Sequence, residues 1–572
     1  MTNFRIERRP FTIDKIRSWD SLDKRHLNWP VVYTLDNESD IYVGESRNAA
    51  LRMRQHLDNP DRQHLTNMRV VIDDTFNKSA ALDLESYLIR FLFGDGKYRV
   101  LNRNGGITDA DYFNRAAYQG TFDAIFQELF DEGVFTRTIP EIINGDLFKF
   151  SPFKELNTEQ AVAVDGILHA LFDDLDQHTR STIVVQGDPG TGKTIVAIYL
   201  MKLLMDIATS ERDEEPGGDA LFSDFFVSGY REQLDGFRIG LVVPQQSLRK
   251  SIEKVFAKTP GLSKDMVMTP FEVGKGNRHF DLLIVDETHR LNHRANQPSG
   301  PQNKSFGEIN TALFGADDDD KTQLDWIRAK STHQIFLVDQ AQSVRPADLP
   351  TATLRELVSH ARQNRHFYPL PSQMRVQGGT DYVEYVRRIF SGKPPTPRAI
   401  HTYEFVMFDD LSAMQSAIRK KDVEVGLARL VAGYAWPWVS KSAPDEFDIE
   451  LDGCRLRWNK AATDWINSAG ALEEVGSIHT VQGYDLNYAG VIIGPDLRYD
   501  PQTGNLVFDR ENYHDKKGKE NNPKRGIVYT DDDLLRFVTN IYGVLLTRGI
   551  RGTYVYVCDP HLREYLRAFI SV

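Results

Sequence analysis

Residues 187–194 have the sequence Gly-Asp-Pro-Gly-Thr-Gly-Lys-Thr, a full G-x-x-x-x-G-K-[ST] pattern that is typical of a phosphate-binding loop. An apolar strand pattern precedes the loop and a helical pattern follows it, which predicts backbone N–H groups aimed at phosphates from a helix N-terminus. Lys193 is expected to reach the β- and γ-phosphates of ATP, and Thr194 is expected to bind Mg²⁺. The residues that this pattern assigns to the nucleotide are Gly187, Gly190, Gly192, Lys193 and Thr194.

Two further apolar runs end in polar groups that suit phosphate chemistry. Leu282–Asp286 ends in the acidic pair Asp286 and Glu287, and ligands of open parallel sheets bind at the carboxyl ends of the strands. Asp286 is expected to support Mg²⁺. Glu287 is expected to orient and deprotonate the attacking water, which predicts hydrolysis rather than transfer to a substrate. Gln334–Asp339 leads to Gln342, whose amide is expected to sense the γ-phosphate.

Five more motifs occur in order: Asn157-Thr-Glu-Gln160, Val243-Pro-Gln-Gln-Ser-Leu248, Ser372-Gln-Met-Arg375, Ser477-Ile-His-Thr-Val-Gln-Gly-Tyr-Asp485 and Tyr542-Gly-Val-Leu-Leu-Thr-Arg548-Gly. With the phosphate-binding loop, they resemble the motifs of superfamily 1 helicases. The chain is most similar to the Schlafen-type, ATP-binding helicase-like domains of uncharacterised function, over nearly all of residues 151–572. The segment 338–342 lacks the glycine that usually precedes its aspartate, so the resemblance supports ATP hydrolysis more firmly than strand separation.

The helicase resemblance implies a role for each motif. Gln160 would read adenine, and residues 243–248 would contact a nucleic-acid backbone. Asp485 would belong to the segment that links the second lobe to nucleic acid and nucleotide. Arg375 and Arg548 would be arginine fingers, which stabilise the charge of the transferred phosphoryl group and speed hydrolysis by roughly 10³–10⁵.

The first 110 residues contain a second group of reactive side chains. Two tyrosines lie on short β-like runs, and Arg52 and His56 lie four apart, on one face of a predicted helix. Phosphodiester cleavage needs a metal ligand, a base for water and a cation for the phosphate, and carboxylate, phenol and guanidinium groups supply these roles. The group comprises Tyr33, Tyr42, Arg52, His56, Glu85 and Asn102.

The order and spacing of these six residues resemble the GIY-YIG nuclease family across roughly residues 28–105. The resemblance implies that Glu85 binds one Mg²⁺ or Mn²⁺ ion and that Tyr33 or Tyr42 helps to activate water. It also implies that Arg52 steadies the scissile phosphate. Asn102 would support the site, and His56 matches a position that is catalytic in part of the family. The alternative is a packed α/β module without chemistry, since the first signature lacks its leading glycine.

Composition places the chain among ordinary globular proteins. Of its 572 residues, 41% are apolar and 26% are charged, and no apolar run approaches the roughly 20 residues that cross a bilayer. Only two cysteines occur, so a disulfide framework and a cysteine-rich zinc site are excluded and a cytoplasmic location is expected. The net charge of −12 excludes a broad basic coat for nucleic acid but is compatible with a local basic groove.

The pattern of elements predicts an α/β fold, with a small GIY-YIG-like domain followed by two RecA-like lobes with parallel sheets. The expected bounds are 1–110 for the small domain, 111–150 for a helical connector, 151–350 for the first lobe and 351–572 for the second. The sequence thus predicts an ATP-driven helicase-type motor joined to a metal-dependent endonuclease. Its partner is nucleic acid, DNA rather than RNA, and an anti-phage role is the hypothesis. The alternatives are a repair helicase with a binding-only N-terminal domain, and an ATP switch without translocation.

Overall fold

The protein is described here by a computed structural model that covers residues 4–19, 22–103, 112–210, 222–226, 229–294, 297, 299–339, 345–459, 465–468, 470–481, 484–523 and 526–571. The chain forms two compact units. The first contains Met1–Ala161, Ile198–Gly236 and Ser251–Met266, and the second contains Val162–Ala197, Phe237–Lys250 and Val267–Val572. In the described part, no helix combines the length and the apolar character of a membrane span.

The N-terminal part of the first unit is a five-stranded sheet with helices around it. Its strands are β1 (Phe4–Pro10), β2 (Val31–Asp36), β3 (Asp40–Ser46), β4 (Asn67–Asp73) and β5 (Arg99–Val100), and its helices are α1 (Ile13–Trp19), α2 (Ala49–Asp58), α3 (Lys78–Asp95), α4 (Arg115–Asp131), α5 (Ile139–Asn144) and α6 (Asp146–Lys149). The strand order is β1-β4-β2-β3-β5, and only β3 and β5 pair in parallel. Every residue of the central strand β2 is buried, which explains its nearly continuous apolar sequence.

The next part of the chain builds a parallel sheet. The strands are β6 (Thr182–Gly187), β7 (Ile239–Val242), β8 (Val267–Met268), β9 (Phe280–Val285), β10 (Ser331–Val338) and β11 (Phe367–Leu370); the helices are α7 (Thr158–Asp176), α8 (Lys193–Thr209), α9 (Tyr230–Gln233), α10 (Gln246–Lys258), α11 (Pro270–Lys275), α12 (Gly300–Phe314), α13 (Gln323–Lys330) and α14 (Thr351–Gln363). The order is β11-β6-β10-β9-β7-β8, with all pairs parallel.

This sheet extends past the expected lobe boundary at residue 350. Strand β11 pairs in parallel with β6, so the first lobe includes chain up to at least Leu370. The four-residue strand Phe367-Tyr-Pro-Leu370 is only partly buried and contains a proline. Its shortness and its proline hide it in the sequence, and only its pairing assigns it to the sheet.

The C-terminal part builds a second sheet. Its strands are β12 (Glu404–Met407), β13 (Ala428–Ala432), β14 (Ile449–Leu451), β15 (Cys454–Trp458), β16 (Glu474–Ser477), β17 (Leu486–Ile493) and β20 (Gly549–Val557), and β18 (Leu497–Asp500) and β19 (Asn505–Phe508) form a separate hairpin; the helices are α15 (Gly379–Ile389), α16 (Leu411–Val425), α17 (Ile478–Val481), α18 (Asp531–Leu546) and α19 (Pro560–Arg567). The order is β12-β20-β17-β13-β16-β15-β14, and only β14 runs antiparallel to its neighbour. The expected pair of RecA-like lobes with parallel sheets is confirmed.

Candidate functional sites

The phosphate-binding loop connects β6 to α8, as parallel sheets of this type require. Gly190 and Gly192 have φ angles of 86° and 81°, a conformation in which a Cβ atom is strained. The Lys193 ammonium donates to the carbonyl oxygens of Gly187 at 2.7 Å and Asp188 at 2.9 Å. The loop therefore wraps around the lysine head and leaves it at the carboxyl edge of the sheet.

A hard-oxygen pair lies where Mg²⁺ was expected. Thr194 Oγ1 donates to Asp286 Oδ2 at 2.6 Å, and Asp286 is fully buried at the end of β9. Burial and the neighbouring Glu287 raise the pKa of Asp286 to about 6. Among the residues that the structure describes, no third His, Cys, Asp or Glu completes a ligand cluster here. The pair fits Mg²⁺, which commonly takes one or two protein oxygens and fills its other positions with waters and phosphates.

Glu287 is held beside this pair in an uncommon backbone conformation. Its φ and ψ are 49° and 44°, in the left-handed region, and its N–H donates to Asp286 Oδ1 at 2.8 Å. Its Oε2 lies 2.9 Å from Nε2 of His289, outside the angles of a hydrogen bond. Burial alone would raise the pKa of Glu287, but His289 and Lys193 outweigh it and lower that pKa. Glu287 is therefore a carboxylate that can accept a proton from water.

Two arginines of the second lobe approach the same centre. Arg548 is 2% exposed, and its Nη1 donates to the Tyr484 carbonyl at 3.3 Å. Arg375 forms an ion pair with Asp485. Burial lowers the pKa of Arg548, Arg375 lowers it further, and Asp485 and Glu287 oppose them, so these charges share one neighbourhood. Within the described ranges, Arg548 Nε and Arg375 Nη1 are buried without a hydrogen-bond partner, as suits groups that receive an anion.

Residues after β11 form hydrogen bonds with the phosphate-binding loop. The Met374 N–H donates to the Gly190 carbonyl at 2.9 Å, and Gln373 Nε2 donates to the Pro189 carbonyl. Arg387 donates to both oxygens of Asp188 at 2.9 Å. The expected arginine finger Arg375 is thus anchored next to the loop. The sequence did not predict roles for Gln373, Arg387 and His289. Of the three, Gln373 could have been found, because it lies within the Ser372–Arg375 motif.

The two segments assigned to nucleic acid line one cleft of about 730 Å³ in the second unit. The first-lobe wall includes residues 244–247 and Arg249, and the second-lobe wall includes Ser477 and Thr480. Four cationic side chains and one acidic side chain line it, together with the half-exposed ring of Trp438. The cations are Arg249, Lys275, Arg290 and Arg345, and the acid is Asp348, 3.8 Å from Arg290. The lining is therefore cationic despite the acidic chain.

Gln160 and Gln342 were both expected to contact the nucleotide. Gln160 is buried in the first unit, where its Oε1 accepts from the Asn157 N–H at 3.1 Å and Asn157 Oδ1 accepts from the Gln160 N–H at 2.8 Å. This reciprocal pair caps the start of α7. Gln342 lies outside the described residues, as do Gln482 and Gly483 of the motif that ends at Asp485.

The N-terminal group converges around His56. Tyr33 and Tyr42 come from the adjacent strands β2 and β3, and the Tyr33 hydroxyl lies 2.7 Å from His56 Nε2. The Tyr42 ring centroid lies 5.2 Å from that of His56. Arg62, which the sequence did not single out, lies with its guanidinium carbon 3.8 Å from the Tyr42 ring centroid. The structure therefore brings two phenols, an imidazole and a guanidinium together at one face of the sheet.

Charges link Arg52 and Glu85 to the same group. Burial raises the pKa of Tyr33 well above its usual value, and Arg52 opposes that rise. Burial also raises the pKa of Glu85 to about 8, Glu45 adds to it, and Arg52 opposes it. Glu45 Oε2 is buried without a hydrogen-bond partner among the described residues. Lys78 forms an ion pair with Glu45 and opposes the rise in the pKa of Glu85. A divalent cation fits beside the two acids, because it would reduce their remaining repulsion.

Asn102 supports the sheet rather than presenting its amide to the phenols. Its Oδ1 accepts from the Val43 N–H at 3.1 Å, and its Nδ2 donates to the Val43 carbonyl at 2.8 Å. The side chain thus continues the pairing of β3 beyond the two residues of β5. It fixes the backbone next to Tyr42.

Asn102→Ala is expected to lower the free energy of unfolding by about 1–3 kcal/mol, because two buried backbone groups of Val43 lose their partner. Urea unfolding of the full chain measures the change. Asn505→Ala is the control, since that exposed side chain donates to the Thr503 carbonyl of a surface turn. Equal losses in the two variants would contradict the structural role of Asn102.

Comparisons with known proteins place the part of the chain that contains the phosphate-binding loop and the two lobes in a family. The family model described as Schlafen group 3, DNA/RNA helicase domain, matches residues 180–559. The uncharacterized protein YPL245W of Saccharomyces cerevisiae is 27% identical over 445 residues, 72% of this chain and 90% of that protein.

Two solved structures are similar at low scores. Pif1 helicase from Bacteroides, in complex with ADP-AlF3 and ssDNA, is 10% identical, with a TM-score of 0.24 over 70% of this chain and 92% of that one. A DEAD box protein from Methanococcus jannaschii is 11% identical, with a TM-score of 0.21 over 73% and 95%. The family match, in contrast, runs from just before β6 to just after β20 and covers more than half of the sequence. The chain belongs to the Schlafen group 3 family of DNA/RNA helicase domains.

Proposed function

We propose that this protein is an ATP-dependent nucleic-acid-processing enzyme that joins a helicase-type ATPase to a metal-dependent endonuclease. One observation carries the ATPase half. Thr194 donates to Asp286 at 2.6 Å directly beside Glu287, and the buried Arg548 Nε of the second lobe has no hydrogen-bond partner among the described residues. A carboxylate for water and an arginine for the phosphoryl group suit hydrolysis better than transfer to a substrate.

Each residue of the centre has a distinct role in the proposed hydrolysis. Lys193 and the loop N–H groups hold the phosphates, and Thr194 and Asp286 hold Mg²⁺, which when bound neutralises charge on the phosphate oxygens. Glu287 orients water and takes its proton. Arg375 and Arg548 come from the second lobe, so their approach to the phosphates depends on how the two lobes pack.

Glu287→Gln is expected to slow ATP hydrolysis by about 10²–10⁴, because the amide keeps the shape of the side chain but cannot accept a proton. ATP binding should be retained, since Lys193 and Thr194 are unchanged. Steady-state phosphate release and equilibrium binding of a labelled nucleotide measure the two properties. A variant that hydrolyses ATP as fast as the wild type would remove Glu287 from the mechanism.

The cleft between residues 244–249 and the second-lobe residues Ser477 and Thr480 is the proposed nucleic-acid site. Its arginines and lysine can neutralise phosphates, and Trp438 offers a ring on which a base can stack. ATP turnover measured with single-stranded DNA, duplex DNA and RNA tests this proposal and ranks the substrates; DNA is the expected partner. Turnover that no nucleic acid changes would favour a regulatory ATP switch instead.

The endonuclease half is supported by the convergence of Tyr33, His56 and Arg52 with the partly buried acid Glu85. Lys78 pairs with the neighbouring Glu45 and opposes the rise in the pKa of Glu85, but that pKa stays raised to about 8, so a divalent cation would further stabilise the two acids. Cleavage of labelled DNA and RNA with Mg²⁺ or Mn²⁺, with and without ATP, is the test. If nothing is cut, the N-terminal part is a binding module of a repair helicase, and an anti-phage role loses its basis.

A further inference from the structure

His56 lies among side chains of β2, β3, α2 and the turn that follows α2. Tyr33 of β2 and Tyr42 of β3 face the ring. Arg52 lies one turn earlier on α2, and Arg62 follows from the short turn Pro60–Arg62. The histidine itself is 1% exposed. Arg62 Nη1 contacts Nδ1 and lies farther from Nε2, at 3.5 Å, whereas the Tyr33 hydroxyl lies 2.7 Å from Nε2.

The neighbours of the two nitrogens determine where the ring proton lies. Arg62 Nη1 contacts His56 Nδ1. A guanidinium has only donors, so Nδ1 must be the acceptor and cannot carry hydrogen. Burial, with the charges of Arg62 and Arg52, lowers the pKa of His56 to about 3, so the ring is neutral at physiological pH. The single proton of a neutral imidazole then lies on Nε2, which faces the Tyr33 hydroxyl at 2.7 Å.

We propose that Arg62 is a positioning residue of the N-terminal site, which fixes the direction of the hydrogen bond between His56 and Tyr33. With Nδ1 occupied by Arg62, His56 donates from Nε2 and the Tyr33 oxygen accepts. The phenolic hydrogen of Tyr33 must then point away from His56. Arg62 also covers the Tyr42 ring, and this contact keeps the guanidinium in place.

This arrangement assigns different roles to the two residues. This step rests on the proposed nuclease function: Tyr33 presents its O–H to water or to a phosphate oxygen. His56 is not the base, because neither of its ring nitrogens has a free lone pair. Burial raises the pKa of Tyr33, so the phenol keeps its proton and acts as a donor. Gly44 is paired with Tyr33 across the strands, and a Cβ there would overlap the phenol oxygen. The glycine therefore leaves room for this hydroxyl.

Nitrogen NMR of the full chain with ¹⁵N-labelled histidine tests the inference, with His56→Gln identifying the resonance. The wild type is expected to show His56 neutral from pH 5 to 8, with its proton on Nε2. In Arg62→Met, Tyr33 can donate to Nε2, so the Nδ1-protonated form should appear and the pKa of His56 should rise. Arg62→Lys should retain the wild-type tautomer, because the ammonium also donates.

Arg99→Met is the matched control, since that exposed arginine pairs with Asp40 at the far end of β3. It should leave His56 unchanged. A wild-type His56 protonated on Nδ1, or a tautomer that Arg62→Met does not alter, would overturn the inference.

A cleavage assay separates this inference from the proposed nuclease. Arg62→Met should lower kcat by about 10–100-fold, as loss of a supporting contact around a reactive group does, and should change KM little. Cutting by Arg62→Met at the wild-type rate would overturn the positioning role. Absence of cutting by the wild type would instead reject the nuclease, while the NMR result would still decide the direction of the hydrogen bond.

Discussion

Arg548→Met will lower the rate of ATP hydrolysis by about 10³–10⁵, the effect expected when an arginine finger is lost. The methionine fills much of the buried space but carries no charge, so negative charge that develops on the phosphoryl group is no longer neutralised. Arg548 Nε has no hydrogen-bond partner among the described residues, so the hydrogen bond lost with the side chain is the long one from Nη1 to the Tyr484 carbonyl, at 3.3 Å. Phosphate release at saturating ATP, with and without single-stranded DNA, measures the effect.

The strand that follows Arg548 supplies the control for this prediction. Arg551 lies on β20, three residues after Arg548, and its side chain is exposed, so Arg551→Met removes the same charge from the surface. It should leave turnover within about twofold of the wild type, as substitutions far from the reacting charge do. Nucleotide binding and the unfolding temperature of Arg548→Met should be near those of the wild type. If both arginine variants hydrolyse ATP at the wild-type rate, Arg548 is a structural cation.

Glu85→Gln is expected to reduce metal-dependent cutting to the uncatalysed background while ATP hydrolysis continues. An amide carries no negative charge and binds Mg²⁺ or Mn²⁺ far more weakly than a carboxylate. The substitution also removes the repulsion between Glu85 and Glu45, so the folded state should be at least as stable as the wild type. Loss of cutting without loss of stability would therefore indicate a lost ligand rather than a damaged fold.

Glu38→Gln is the matched control for the nuclease, since Glu38 is exposed in the turn between β2 and β3. It should cut as the wild type does. Residual cutting by Glu85→Gln at more than a few per cent of the wild-type rate would mean that the activity belongs to another residue or to a contaminant. Tyr33→Phe distinguishes another residue of this protein from a contaminant, because cutting by a contaminant is unaffected by either substitution.

The sequence by itself determined the parts of the fold that depend on local pattern. The run Thr182–Gly187 coincides with β6, and the acids Asp286 and Glu287 follow β9 directly. A buried parallel strand must be apolar throughout, and a loop that wraps phosphates needs glycines at positive φ, so both leave a signal within a few residues. The order of such signals along the chain was enough to predict two parallel-sheet lobes.

Only the tertiary structure decided which distant side chains meet. Arg62 contacts His56, and Arg387 binds Asp188 across 199 residues of sequence, yet neither arginine belongs to a local motif. Strands β1 and β11 escaped recognition for a related reason. The first is rich in charged residues and the second is four residues long with a proline inside it, and they are strands because β4 and β6 offer them backbone partners. Spacing along a chain encodes helices, strands and turns, whereas contacts between them arise from packing, which brings together residues that the sequence keeps apart.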